Sequence, residues 1–219
     1  DDIGVSVDFG AEGDVYKALE DALQEKIDNV FERVKFSHKS RQLVQNAAVD
    51  GDGCMYWFWD PKKNRLDCQL INNTEVVFGD ARTAAVEAGD AVEEQPYIII
   101  KQRKFTQSLK EYAKSVGCKE WAEIKPDGGG DYDGYNEEKL SSVYTDTALK
   151  FWRGKDGMIR WLMCTKEIVI IPERSLNINR YPLVWFPWEK DKNSYHGISP
   201  ITGKTKNQIY INKIYAMAT

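Results

Sequence analysis

The chain has 219 residues, enough for one substantial domain or for two small ones sharing a core. With 42% hydrophobic and 29% charged residues it reads as globular rather than disordered, and no apolar run is long enough to span a bilayer, which excludes an integral membrane role. A net charge of −4 argues against a protein that grips nucleic acid over its whole surface, because phosphate binding draws on a basic face. The N-terminus, Asp1-Asp-Ile-Gly, carries neither an initiator Met nor a signal-like stretch and reads as a cut edge, so a fragment or a processed product is expected.

In chain order, residues 13–35 predict an amphipathic helix, with Val15, Leu19, Leu23, Ile27, Val30 and Val34 at three- and four-residue spacing. A second helix over 38–49 stops at Asp50-Gly-Asp-Gly53, which supplies a left-handed turn. An aromatic strand follows over 54–59, placing Trp57 and Trp59 on one face and Tyr56 and Phe58 on the other. Asp60-Pro-Lys-Lys-Asn64 turns the chain, and residues 65–71 return as the antiparallel partner. Residues 74–94 read as a loop or short helix, and 97–103, with three consecutive isoleucines, as a buried strand.

A helix capped by Thr106 and ended by Gly117 carries Phe105, Leu109, Tyr112 and Val116 on one side and Lys104, Lys110 and Lys114 on the others. The segment Pro126-Asp-Gly-Gly-Gly-Asp-Tyr-Asp-Gly134 is the clearest loop. Residues 142–152, 158–164 and 168–172 read as short strands, with Gly154-Lys-Asp-Gly157 as a hairpin turn. The order of helices, hairpin, strand, helix, meander, strand and helix gives a mixed α+β fold class.

Several motifs are weaker than they look. Aligning Gly134 to position 6 of a calcium loop puts Asp131 and Asp133 at positions 3 and 5, but Gly129 and Leu140 fall where the first and the bidentate ligands belong. Cys54, Cys68, Cys118 and Cys164 are dispersed without zinc-ligand spacing and read as four buried, reduced thiols; no metal and no cofactor is expected. Gly51-Asp-Gly53 follows a helix and precedes a strand, the reverse of a phosphate-binding loop. His38 and His196 lack any accompanying nucleophile or metal-hydrolase pattern, so no enzyme is expected. Seven tryptophans are many for this length. Trp57 with Trp59 could form a stacking platform for carbohydrate or single-stranded nucleic acid. The competing reading places tryptophans, Trp152, Trp161, Trp185 and Trp188 among them, in the core or at subunit contacts.

The end of the chain is the most distinctive part. Tyr181-Pro-Leu-Val-Trp-Phe-Pro-Trp188 is a proline-punctuated strand, a charged loop follows, and Tyr195-His-Gly-Ile-Ser-Pro-Ile201 opens a helix with Ser199 as its cap and Pro200 at its first position. That helix carries Lys204, Lys206 and Lys213 and no carboxylate, on an acidic protein.

The strand P-L-V-x-F, the G-x-S-P-I opening and the helix N-Q-I-x-I-N-K with Gln208 and Asn212 resemble the portal proteins of tailed bacteriophages, the head–tail connectors. The helix Ser40-Arg-Gln-Leu-Val-Gln-Asn-Ala-Ala-Val49 running into Gly51-Asp-Gly-Cys-Met-Tyr-Trp-Phe-Trp59 is similar to the same family's helix, small-residue turn and aromatic strand. The resemblance spans residues 31–219 and its motifs are degenerate. It implies a wing-like α+β region over 1–102, a first stem helix over 103–117, a small β-rich clip with connecting strands over 118–197, and the start of a second stem helix over 198–219.

It further implies a structural, non-catalytic subunit of a dodecameric homo-oligomeric ring at a capsid vertex of the virion, assembled in the bacterial host cytoplasm. Partners implied are double-stranded DNA passing through the channel, the terminase large subunit, head-completion or adaptor proteins, capsid and scaffold, and no membrane. Channel-facing candidates are Lys104, Lys110, Lys114, Lys204, Lys206 and Lys213, and contact candidates Trp152, Trp161, Trp188, Gln208 and Asn212. A conduit must let the duplex slide, so an acidic surface with few local lysines suits it. The rest of the wing, a tunnel loop and a crown are missing, and the 126–134 segment has no clear place. The main alternative is a non-catalytic α+β binding module whose aromatic strand face, Trp57 beside Trp59 in a groove, engages carbohydrate or peptide. A hydrolase would require a deep pocket near His38 or His196.

Overall fold

The computed structural model describes residues 6–10, 14–61, 63–80, 92–127, 143–191 and 194–218. In chain order the helices are α1 (Asp14–Arg33), α2 (Phe36–Asp50), α3 (Thr106–Ser115) and α4 (Thr205–Ala218). The strands are β1 (Asp52–Asp60), β2 (Arg65–Ile71), β3 (Val76–Phe78), β4 (Tyr97–Phe105), β5 (Tyr144–Arg153), β6 (Ile159–Cys164), β7 (Val169–Ser175) and β8 (Leu183–Pro187). Among the described residues, two antiparallel sheets and four helices make the fold α+β. Two compact units form, one from residues 1–71, 182–191 and 196–219, the other from 72–181 and 192–195. The stretches 1–102 and 118–197 therefore each contribute to both units.

The first unit holds the three-stranded sheet β2-β1-β8 with α1, α2 and α4. Lys35 sits in the left-handed region (φ 54°) and breaks what would otherwise be one long helix into α1 and α2. Gly51 (φ 92°) ends α2 as the sequence predicts, its N–H returning to the Ala47 carbonyl at 2.9 Å. The β1–β2 hairpin pairs Asp60 with Arg65 at its tip and Cys54 with Ile71 at its base. Val34, Met55 and Cys68 form the buried centre, against which Val30, Phe36, Leu43, Trp57 and Leu70 pack. Fully burying each such apolar side chain contributes about 1.5–3 kcal/mol. The core side of α1 thus fades toward its start, where Val15 and Leu19 stay exposed.

The second unit is a five-stranded meander, β3-β4-β5-β6-β7, with α3 following β4 directly. The three isoleucines of β4 alternate: Ile98 and Ile100 are fully buried, and Ile99 is not. Leu149, Phe151, Ile159, Met163, Ile170 and Leu109 are among the other buried residues of this unit. Gly154 and Gly157 close the β5–β6 hairpin as predicted (Gly157 N–H to Gly154 O, 3.0 Å).

Three expectations are corrected. Residues 76–78 form a strand where a loop or short helix was expected, because Val76, Val77 and Phe78 pair with Ile100, Ile99 and Ile98 across β4. The helix expected over 103–117 is α3, shorter at both ends. Arg103, Lys104 and Phe105 continue β4 opposite Asp146, Thr145 and Tyr144, and Thr106 does not cap; its hydroxyl bonds the Val143 carbonyl (2.8 Å) and the Thr145 hydroxyl (2.9 Å). The final helix opens at Thr205, not at Ser199. Residues 199–204 form turns instead, with Thr202 N–H on Ser199 O and Lys204 N–H on Ile201 O. The loop segment 128–142, including the candidate calcium ligands, lies outside the described residues.

Candidate functional site

Two motifs that lie far apart in the chain meet at the α2–β1 corner. Asp52, flanked by Gly51 and Gly53, is 2% exposed. Its carboxylate accepts the Gly197 N–H and pairs with His196 Nδ1, both at 2.6 Å. The Trp185 ring lies 5.9 Å from the imidazole. Trp188 N–H donates to Gly51 O at 2.9 Å, Ile198 N–H to Glu189 O at 2.7 Å, and Lys190 bridges Gly197.

Glycines are required on both sides of this corner. A Cβ at Gly51 would stand 2.3 Å from Gly197 O, and one at Gly197 would stand 2.3 Å from Gly51 O. Ser199 is buried here. Its Oγ donates to the Ala48 carbonyl (2.7 Å), one of the last carbonyls of α2 that lack a helical partner, and accepts the Ile201 N–H (3.1 Å). Ser199 thus anchors the turn that precedes α4, whose first helical residue is Thr205. The corner is a clip that fixes where the last segment leaves the sheet; strand β8, paired with β1 from Asp52↔Pro187 to Tyr56↔Leu183, is its other half.

Beyond the clip, α4 is bare. Every residue from Lys206 to Met217 is exposed. Ile209, Tyr210, Ile211, Ile214, Tyr215 and Met217 span about two thirds of its circumference, leaving one polar side at Gln208 and Asn212. Lys206 and Lys213 are on α4 and Lys204 in the turn before it, all exposed. Gln208 and Asn212 bond each other across one turn (3.0 Å).

The other three candidate lysines belong to the second unit. Lys104 is on β4, half-buried, and burial lowers its pKa. It lines a small cavity with Phe105, Ser108, Leu109 and Tyr112, where burial raises the Tyr112 hydroxyl against the opposing effect of Arg174. Lys110 is half-buried on α3, and the Lys114 ammonium stands 5.1 Å from the centre of the Trp121 ring.

Of the contact candidates, Trp188 is 43% exposed, while Trp152 and Trp161 are half-buried on β5 and β6, with Lys150 5.8 Å from the Trp152 ring centre. The platform of Trp57 and Trp59 is not formed. Trp57 packs beside Phe36 (5.9 Å) and Phe31 (6.4 Å) in the core of the first unit, and only Trp59 is exposed. The α1–α2 break that brings Phe31 and Phe36 together (4.4 Å, stacked) covers that face, which the alternation of one strand does not reveal.

His38 is exposed on α2, and neither histidine lines the cavities at α1 or α3. Cys54 and Cys68 are buried as expected, but Cys118 and Cys164 are only half-buried. Burial pushes the Cys68 and Cys164 thiols up, despite Lys39 beside the first and Lys150 near the second. Among the described residues no group of three or more His, Cys, Asp and Glu side chains is placed to hold a metal ion, and no helix is long and apolar enough to cross a membrane.

Asp52 is the residue that sequence reasoning missed; between two glycines it reads as turn chemistry. Its signal would have been an acid at a helix-to-strand corner with a remote His-Gly pair to receive it. Comparison with known proteins finds no family model that matches the chain and no curated protein significantly similar to it.

Proposed function

We propose that this chain forms part of the subunit of a tailed-bacteriophage portal ring, the channel for double-stranded DNA at one capsid vertex and the docking site for terminase and head–tail proteins. The observation that carries the reading is α4. A helix whose exposed isoleucine, tyrosine and methionine side chains span about two thirds of its circumference is stable in water only when neighbours cover it on more than one side. A ring supplies two flanking copies to every subunit through one repeated heterologous contact. The clip supports it, since the residues behind the portal resemblance, Gly51-Asp-Gly53, the β8 strand and His196-Gly-Ile-Ser199, are in mutual contact. The role is structural and uses no reacting groups. Lys204, Lys206 and Lys213 face the DNA or a neighbouring subunit, whereas Lys104 is turned into its own unit. Virion localisation and the adaptor, capsid and scaffold partners follow from the same reading.

The test is the mass of the purified chain by light scattering across concentration, with negative-stain images of the heaviest species. A closed ring of many copies is the expected result. A strict monomer at the highest attainable concentration overturns the proposal.

A further inference from the structure

Helices α1 and α4 carry opposite charges at one spacing. Asp21, Glu25, Asp28 and Glu32 recur at intervals of four, three and four residues, which lines them up along one side of α1. All four are exposed, and with Gln24 and Asn29 they form one open polar face of α1. Among the described residues none of the four is in an ion pair; Gln24 donates a hydrogen bond to Asp28. On α4, Lys206, Tyr210, Lys213 and Met217 recur at the same intervals, and the helix has no acid. Seven residues rise about 10.5 Å along a helix, so the Lys206–Lys213 separation matches both Asp21–Asp28 and Glu25–Glu32.

We propose that the Lys206–Lys213 stripe of α4 docks along the acidic stripe of α1 on a second copy of this chain. Within one copy both stripes are exposed, so they do not cover each other. The two surfaces differ, which makes the contact heterologous: each copy offers α4 to one neighbour and α1 to another. That the chain of contacts closes rests on the portal reading. Burial of Tyr210 and Met217 supplies attraction, while the ion pairs, individually weak at a surface, set register and reject other partners. Lys206 and Lys213 then belong to the subunit contact and not to the DNA path.

Charge reversal tests this on the full chain. The variant K206E/K213E, altered only on the exposed helix, should need at least about tenfold more protein to reach half assembly, read by light scattering. The variant with Asp21, Glu25, Asp28 and Glu32 all changed to Lys should show the same loss, with circular dichroism checking that α1 stays helical. An equal mixture of the two restores both contacts in alternation and should assemble like the parent. If the parent assembles and K206E/K213E assembles as well, the α1–α4 contact is wrong and the portal reading stands. If K206E/K213E fails and the complementary mixture does not recover, the lysines serve another surface, DNA included, and the proposal falls. A parent that is monomeric overturns both.

Discussion

In the meander unit, strand alternation and buried area agree: Ile98, Ile100, Leu149, Phe151, Ile159 and Met163 point into one core, and α3 closes over it with Leu109 and Ala113. In the other unit a three-stranded sheet supports two helices of which only part is covered, and a third helix, α4, exposes apolar side chains along its length. The meander unit covers its apolar strand face with its own helix. In the other unit the segment leading to α4 is fixed at one polar corner, Asp52 with Gly197 and His196, and the apolar side chains of α4 stay exposed. Polar clips position a segment but contribute little net stability, about 0.5–1.5 kcal/mol per hydrogen bond, so under the proposed assembly the driving force comes from the surface beyond the clip.

Mutations that strike one unit at a time measure that contrast. Ile100→Ala should have the largest effect, a loss of about 3–4 kcal/mol from the cavity it leaves, with amide exchange accelerated in β4, β5 and β6. If protection falls equally in β1 and β2, the two units unfold together and the contrast is wrong. Gly197→Ala should cost about 3 kcal/mol, because its Cβ would stand 2.3 Å from the Gly51 carbonyl oxygen, and the exchange changes should centre on Trp188, Gly197 and Ile198. Asp52→Ala removes the acceptor of a buried N–H and should cost about 2 kcal/mol in chemical denaturation, with His196 losing its fixed ring orientation by NMR. An effect below a few tenths would mean the clip holds without its carboxylate.

The smallest effect is expected at Asp67. Burial pushes its carboxyl up, but the Cys68 N–H and the Lys39 and Lys63 ammoniums outweigh that and hold it below the ordinary value of 3.8. A depressed carboxyl stabilises the fold above its unfolded pKa, and that contribution disappears as pH falls through the folded one. Asp67→Asn should therefore cost about 1 kcal/mol at neutral pH and nearly nothing in strong acid. A constant difference across an acid titration of stability would show that the loss is packing rather than charge.

Periodicity and turn chemistry determine much of this protein without help. The α1 stripe, the Gly51 stop, the β1–β2 hairpin, the alternating isoleucines and the Gly154–Gly157 turn are all local properties, in which each residue's environment follows from neighbours a few positions away. The basic, acid-free character of α4 is legible in the same way, as is the four-three-four spacing of acids on α1.

Three features were decided only by the tertiary structure. Val76–Phe78 is a strand because Ile98, Ile99 and Ile100 offer it an edge, Thr106 and Ser199 do not cap because β4 runs on to Phe105 and α4 starts only at Thr205, their hydroxyls meeting remote carbonyls instead, and Trp57 is covered because Lys35 folds α2 back beside it. Asp52 makes the same point most sharply. Its neighbours in sequence explain a turn, while its burial and its bonds to His196 and Gly197 depend on a segment more than a hundred residues away, and a hydrogen bond to so distant a partner leaves no periodicity in the chain.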